Sequence, residues 1–183
     1  MPFNVLAVCT GNICRSPAVE MLLRGVLDES VTVGSAGTGA LVGHPVAEPM
    51  ANLLVAGGFP VDGFAARQLT SDLVDQADLV LALTPEHRTR VVESVPAAVR
   101  RTVTLRELGR LSSTLAPGAV GGRDDGERLA ALLPAALQER PRHAGRQHDD
   151  GVIDPYRRSA GTYRRSYDQI FDALAPVLAA LRA

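Results

Sequence analysis

At 183 residues, 46% of them hydrophobic and with a formal net charge of −1, the chain reads as one soluble globular domain, long enough to bury a core. Its 19 basic and 20 acidic residues exclude the net-basic footprint of a nucleic-acid binder, and no stretch approaches the roughly 18–20 apolar residues of a membrane helix. Met1-Pro2-Phe3-Asn4 has neither a charged start nor a long apolar run, so no signal peptide is expected and the cytoplasm is the expected compartment.

The first apolar run, Val5 to Val8, lacks polar alternation and predicts a strand buried on both faces. Cys9-Thr10-Gly11-Asn12-Ile13-Cys14-Arg15-Ser16 follows it directly. A cysteine, five residues and an arginine between a strand and a helix have the parts of a phosphate pocket with its own nucleophile. Such a loop can turn its backbone N–H groups inward, and the helix opening near Ser16-Pro17 adds the positive end of its dipole. Arg15 can grip two phosphate oxygens at once. A thiol in that field is expected to ionise more readily than a free cysteine. Alone, Cys9 would read as a core residue and Gly11-Asn12 as a turn. With Arg15, Ser16 and Pro17 behind a strand, the reactive reading prevails. Cys9 and Cys14 are the only cysteines and share one loop, so they make no disulfide framework.

Downstream, the apolar pairs Ala18/Val19, Leu22/Leu23 and Val26/Leu27 predict a helix from Pro17 to Leu27. Val31–Val33, Leu79–Leu83 and Thr102–Leu105 predict further strands, with helices at Met50–Val55 and Glu86–Val92. Residues from about 111 to 151 are rich in Gly, Pro, Arg and Asp. They are expected to form a mobile insertion, flanks such as Arg140-Pro141-Arg142-His143 and Asp149-Asp150 included. One helical island, Glu127–Leu137, is interrupted by Pro134. A last helix from about Thr162 puts Tyr163, Tyr167, Ile170, Phe171, Leu174, Leu178 and Leu181 on one core-facing stripe, and Pro176 is expected to kink it or start a new segment. Strands alternating with helices predict a doubly wound α/β domain, whose ligands bind beyond the carboxyl ends of strands where strand order switches. The Cys9 loop lies beyond the first strand.

A cysteine that attacks phosphorus needs an acid to protonate the departing oxygen, worth about 10² to 10⁴ in rate. The best placed by sequence is Asp154 in Val152-Ile153-Asp154-Pro155-Tyr156, kept out of helical geometry by Pro155. Tyr156 offers an apolar wall for an aromatic substrate. Spacing alone does not bring Cys9 and Asp154 together.

On these residues the chain resembles the low-molecular-weight protein tyrosine phosphatases. The resemblance runs through Cys9 to Pro17, Ser35-Ala36-Gly37-Thr38 with Gly43 and Pro45, Ala66-Arg67-Gln68-Leu69, Ala77 to Ala82 and Asp154-Pro155-Tyr156. It leaves out about Leu111 to Asp150. It implies a four-stranded parallel sheet flanked by helices, and a two-step, cofactor-free and metal-free phosphoryl transfer from phosphotyrosine in proteins, a tyrosine kinase's product. Cys9 would be the nucleophile, Arg15 the clamp and the backbone of Thr10, Gly11, Asn12, Ile13, Cys14 and Arg15 the cradle. Ser16 would hydrogen-bond the thiolate, and Asn12, helped by Ser35, would hold the loop. Asp154 would protonate the phenolate and then activate water. Cys14 matches the family's second loop cysteine, able to cap an oxidised Cys9 as a reversible disulfide.

The chain departs from the family pattern at three places. Gly39-Ala40-Leu41-Val42 stands where many members carry an aromatic wall, which makes Leu41 the expected wall here. Phe64 stands where a histidine often supports the loop, and Arg157-Arg158 follow Tyr156. Two rival readings share the loop. Protein arginine phosphatases carry Thr where this chain has Ile13, which favours tyrosine. A catalytically dead phosphoprotein-binding module would keep the pocket but not the full set of Cys9, Arg15 and Asp154. Arsenate reductases of similar fold need cysteines downstream, and none follows Cys14.

Overall fold

Strand β1, Phe3–Cys9, is buried from Val5 onward because helices cover both faces of the sheet it centres. A computed structural model describes residues 1–143, 145 and 150–182. In it β1 pairs in parallel with β2 (Val31–Gly37) on one side and β3 (Leu79–Ala82) on the other, and β3 pairs with β4 (Thr102–Thr104). The order β2-β1-β3-β4 makes β1 the strand at which the chain reverses direction across the sheet. The loop after Cys9 therefore opens at the switch point, the place in such sheets where ligands bind.

The pleat sorts the core. Val5, Ala7 and Cys9 of β1, with Val33, Leu79, Leu81 and Val103, face a large apolar cluster. It is closed by α1 (Arg15–Arg24), α2 (Glu48–Ala56), α5 (Leu105–Ser112), α6 (Asp125–Gln138) and α7 (Ala160–Arg182). Leu6 and Val8 face the other way, onto a smaller cluster with α3 (Ser71–Asp75), α4 (Pro85–Ser94) and the 3₁₀ turn Pro96–Arg100. The sheet is thus four-stranded, parallel and doubly wound.

Several elements differ from their sequence-based expectation, each for a local reason. Helix α1 begins at Arg15 and stops at Arg24 rather than Leu27, because Gly25 ends it against the Phe59 ring, leaving Val26 exposed. Strand β2 runs on to Gly37. Gly34 admits the Arg67 guanidinium and Gly37 admits the Thr10 carbonyl, approaches that any side chain would block. Strand β4 ends at Thr104, and Leu105 opens α5, an element not expected from the sequence. Neither Pro134 nor Pro176 ends its helix. The carbonyls they leave without an N–H donor belong to Ala130 and Asp172, both exposed residues, so the lost bond does not fall in the core. On α7 the buried stripe is Tyr163, Ser166, Ile170, Ala173, Leu174, Val177 and Leu181, while Phe171 is 52% exposed, off the core face.

Within residues 111–151, α6 seats Leu129, Leu132 and Ala136 in the main core. Arg140 forks onto Glu107, Arg142 pairs with Glu139, and the nearly buried Asp150 pairs with Arg110. Asp149 lies outside the described residues.

Candidate active site

The loop from Cys9 to Arg15 is fastened from outside by its carbonyls. Those of Cys9, Thr10, Gly11 and Ile13 accept from the N–H groups of Thr38, Gly39, Leu41 and Ala47, at 2.7 to 3.0 Å. Committing these carbonyls outward leaves the loop's N–H edge free to serve the inner side. No side chain caps the N-terminus of α1 at Cys14, so its first N–H groups add to that edge.

Asn12 holds the shape. Its φ of +54° lies in the left-handed region, which asparagine tolerates better than most residues. Its side chain is wholly buried, and Oδ1 accepts from the Arg67 backbone N–H at 2.8 Å. That bond places Nδ2 against Ser16 Oγ (3.0 Å) and Ser35 Oγ (2.7 Å). Both hydroxyls must then send their hydrogens elsewhere. Ser35 donates to Glu20 Oε2 at 2.6 Å, and Ser16 is left to donate to Cys9 Sγ at 2.9 Å. The network thus delivers one hydrogen-bond donor to the sulfur.

Arg15 is 4% exposed, and its two terminal nitrogens reach the segment before Pro155. Nη1 donates to the Val152 carbonyl at 3.2 Å and Nη2 meets Asp154 Oδ2 at 3.0 Å. The acid proposed from sequence therefore stands at the clamp. Its segment is pinned from three further sides. The Val152 N–H donates to the Leu83 carbonyl, the Ile153 N–H to Gln169 Oε1, and Arg106 to the Gly151 carbonyl. Leu41 is half-buried beside Gly11, and Tyr156 is exposed with its N–H on Asp154 Oδ1 at 3.2 Å. Ile13 is buried in the loop.

The two cysteines, both free thiols, differ in surroundings. Burial pushes the Cys14 thiol up to about 11, against a smaller opposing effect from the Tyr163 hydroxyl, so Cys14 stays protonated near neutral pH and does not compete as a nucleophile. Phe64 lines a cavity of about 420 Å³ with Glu20, Ser35 and Arg67, and the loop's outer support comes from the Arg67 backbone instead.

His87 is the residue that sequence reasoning missed. At the start of α4 it bridges Thr10 Oγ1 (Nε2, 2.9 Å) and Thr84 Oγ1 (Nδ1, 3.0 Å), tying the first residue of the phosphate loop to a helix. Burial, with the Arg15 charge next, pushes it down to about 4, so the bridge is a neutral imidazole at neutral pH. The signal was present: Thr84-Pro85 caps a helix directly after β3, and β3 neighbours β1, so that first turn must lie beside the Cys9 loop.

The model of the family described as low molecular weight phosphotyrosine protein phosphatase matches residues 4–113, well over half the chain. The chain belongs to this family. The low molecular weight protein-tyrosine-phosphatase Etp of Escherichia coli K12 is 41% identical over 104 residues, 56% of this chain and 70% of that protein. The probable phosphatase EpsP of Ralstonia nicotianae is 38% identical over 105 residues, 57% and 72%. Among solved structures, YwlE arginine phosphatase from Geobacillus stearothermophilus superposes with a TM-score of 0.71 at 26% identity, covering 99% of this chain and 94% of that one. Vibrio vulnificus Wzb in complex with benzylphosphonate gives 0.68 at 25%, covering 99% of each. The Asp154 segment lies beyond the residues matched by the family model.

Proposed function

We propose that this protein is a cysteine-dependent phosphatase that hydrolyses phosphotyrosine in proteins through a cysteinyl-phosphate intermediate. The observation that carries the reading is the 3.0 Å contact between Arg15 and Asp154, which sets an acid at the mouth of a loop built to hold phosphate. Cys9 sulfur attacks phosphorus, the S–P bond forms, and the ester P–O bond breaks as Asp154 gives its proton to the departing phenolate oxygen. That oxygen leaves poorly unprotonated, since tyrosine's own pKa is about 10. Asp154, now ionised, takes a proton from water. The water oxygen attacks phosphorus, the S–P bond breaks, and phosphate leaves. Ser16 stabilises the sulfur as it departs. Arg15 and the inward N–H edge meet the charge on the equatorial oxygens, the main source of catalysis in phosphoryl transfer.

The tyrosine kinases' phosphoproteins are the substrate class that fits, with Leu41 and Tyr156 as apolar walls. Among the described residues no helix is long and apolar enough to cross a membrane, and no group of three His, Cys, Asp or Glu could hold a metal ion. We place the reaction in the cytoplasm, where kinase products and a reducing milieu suit it. The likeness to YwlE keeps arginine dephosphorylation as the second reading, and Ile13 favours tyrosine over it. The complete set of Cys9, Arg15 and Asp154 favours catalysis over a binding module.

The test is hydrolysis of 4-nitrophenyl phosphate in EDTA. It should proceed, stop with vanadate and vanish in Cys9→Ser, and activity surviving that substitution sinks the mechanism. Phosphotyrosine peptides should be cleaved well ahead of phosphoarginine and phosphoserine peptides; a phosphoarginine preference would replace the first reading by the second.

A further inference from the structure

A second polar cavity, of about 380 Å³, opens on the same edge of the sheet as the phosphate loop. Helix α4 follows β3 and α5 follows β4, so both start at the carboxyl edge that β1 shares. Pro85 and Thr104, at those two starts, line the cavity. Arg140, His143 and Asp150 also line it, and they come from beyond the residues that the family model matches. Two strand spacings separate β4 from β1, which places the cavity on the order of 10 Å from the phosphate loop. The two sites share their fastenings. Helix α4 contributes Arg88 to the cavity and His87 to Thr10, and one short segment carries Asp150 into the cavity and Asp154 onto Arg15.

Three arginines meet two carboxylates in this cavity. Arg110 pairs with Asp150 and Arg140 with Glu107, so both carboxylates are already matched. Arg88 is the third. Half-buried, it donates from Nε to the Thr102 carbonyl at 3.0 Å, which orients the guanidinium. Neither of its terminal nitrogens has a protein partner among the described residues. An arginine used only to brace the fold looks different here. Arg101, next to the same strand, commits its two terminal nitrogens to the carbonyls of Ala97 and Val74. An oriented guanidinium with both terminal nitrogens unspent suits a carboxylate, and the positive ends of α4 and α5 favour the same sign of ligand.

We propose that this cavity is a subsite for the substrate protein, where Arg88 binds the carboxylate of an acidic residue flanking the phosphotyrosine. An extended peptide advances about 3.3 Å per residue, so about three residues span the distance between the two sites. The inference rests on the reading of the substrate as a phosphotyrosine protein and adds what its flanks carry.

The test compares two phosphotyrosine peptides that differ only in having Glu or Gln about three residues to either side of the phosphotyrosine. The wild type should favour the Glu peptide about fivefold in kcat/KM, expressed in KM, the size of one partly exposed ion pair. High salt should erase that preference. Arg88→Gln should bring the two peptides level, with the urea midpoint showing whether the fold is kept. Thr89→Glu, at an exposed position of α4, sets a carboxylate in the cavity without removing a buried group and should also level them. A preference that survives Thr89→Glu or a folded Arg88→Gln comes from another surface, such as Arg157 and Arg158, and overturns the proposal. No preference in the wild type overturns it equally. If neither peptide is cleaved while 4-nitrophenyl phosphate is, the phosphotyrosine reading itself fails and the subsite falls with it, an outcome distinct from equal cleavage of both peptides.

Discussion

Asn12 does with one side chain what three residues would otherwise share. It accepts a left-handed φ, takes a backbone N–H from Arg67, and orients two hydroxyls so that one hydrogen points at Cys9. Alanine at this position meets the left-handed strain, about 1–2 kcal/mol, and leaves buried Ser16 and Ser35 short of a donor. Asn12→Ala should lower the unfolding free energy by about 2–4 kcal/mol in urea denaturation. It should also lower kcat/KM at least tenfold, since Ser16 is then free to turn its hydrogen away from the sulfur. A variant with wild-type kinetics would show that the hydrogen on the sulfur does not depend on this amide. The residue types of the loop were legible because each has a specific chemical use. His87 was not, because a lone histidine in a helix carries no sign of the neighbouring strand whose loop it grips.

At the scale of elements, α5 decides how the acid segment is held. Thr104-Leu105-Arg106-Glu107 has the sequence pattern of a capping box, of which the structure forms the Thr104 half, Oγ1 accepting from the Glu107 N–H at 3.1 Å, and Leu105, Leu108 and Leu111 bury one face. That signal was in the sequence, masked by the strand-like run it overlaps. Arg106 and Arg110, four residues apart on α5, reach Gly151 and Asp150. Gly109 on the same helix lies against α7, where a Cβ would come within 3.0 Å of the Ala173 Cα and collide with its carbonyl. Alanine ordinarily gains up to about 1 kcal/mol over glycine within a helix, but here the obstacle is backbone and cannot yield like a side chain. Gly109→Ala should therefore destabilise, by about 1–3 kcal/mol in urea, and reduce phenyl phosphate turnover as α5 and α7 part. A gain in stability would mean that the two helices separate freely.

For the whole molecule, acidification removes stability in two windows of the same sign. His87, ordinarily near 6.5, is pushed down to about 4 in the folded chain, so between those values the unfolded chain binds the proton and the folded one does not. Stability falls as pH drops through that window, by about 3 kcal/mol in all. Below it the depressed carboxylates continue the decline, Glu127 at about 2 beside Arg123 and Asp125 lowered by Arg182. At the alkaline end Cys14, raised to about 11, and Tyr163, raised to about 12, work the other way: the unfolded chain loses these protons first, and stability falls as pH rises. Urea midpoints of wild type and His87→Gln between pH 6.5 and 4 check the first window. The variant's curve should be flatter there, and an identical slope would remove His87 as the cause.

The sequence by itself determined the fold class and the loop, and it suggested the chemistry proposed for Cys9 and Arg15, because strand burial, a glycine-containing turn and a helix start are all local. It also pointed to Asp154, whose Pro155 fixes the backbone locally. What it did not contain was any meeting between distant parts. The contact of Arg15 with Asp154, the bridge from His87 to Thr10 and the contact of Cys14 with the Tyr163 hydroxyl depend on which strands neighbour β1 and which helices cover it. Those are choices of the packed sheet: local propensity acts over a few residues, whereas side chains as far apart in sequence as Arg15 and Asp154 are joined only when the core closes between them.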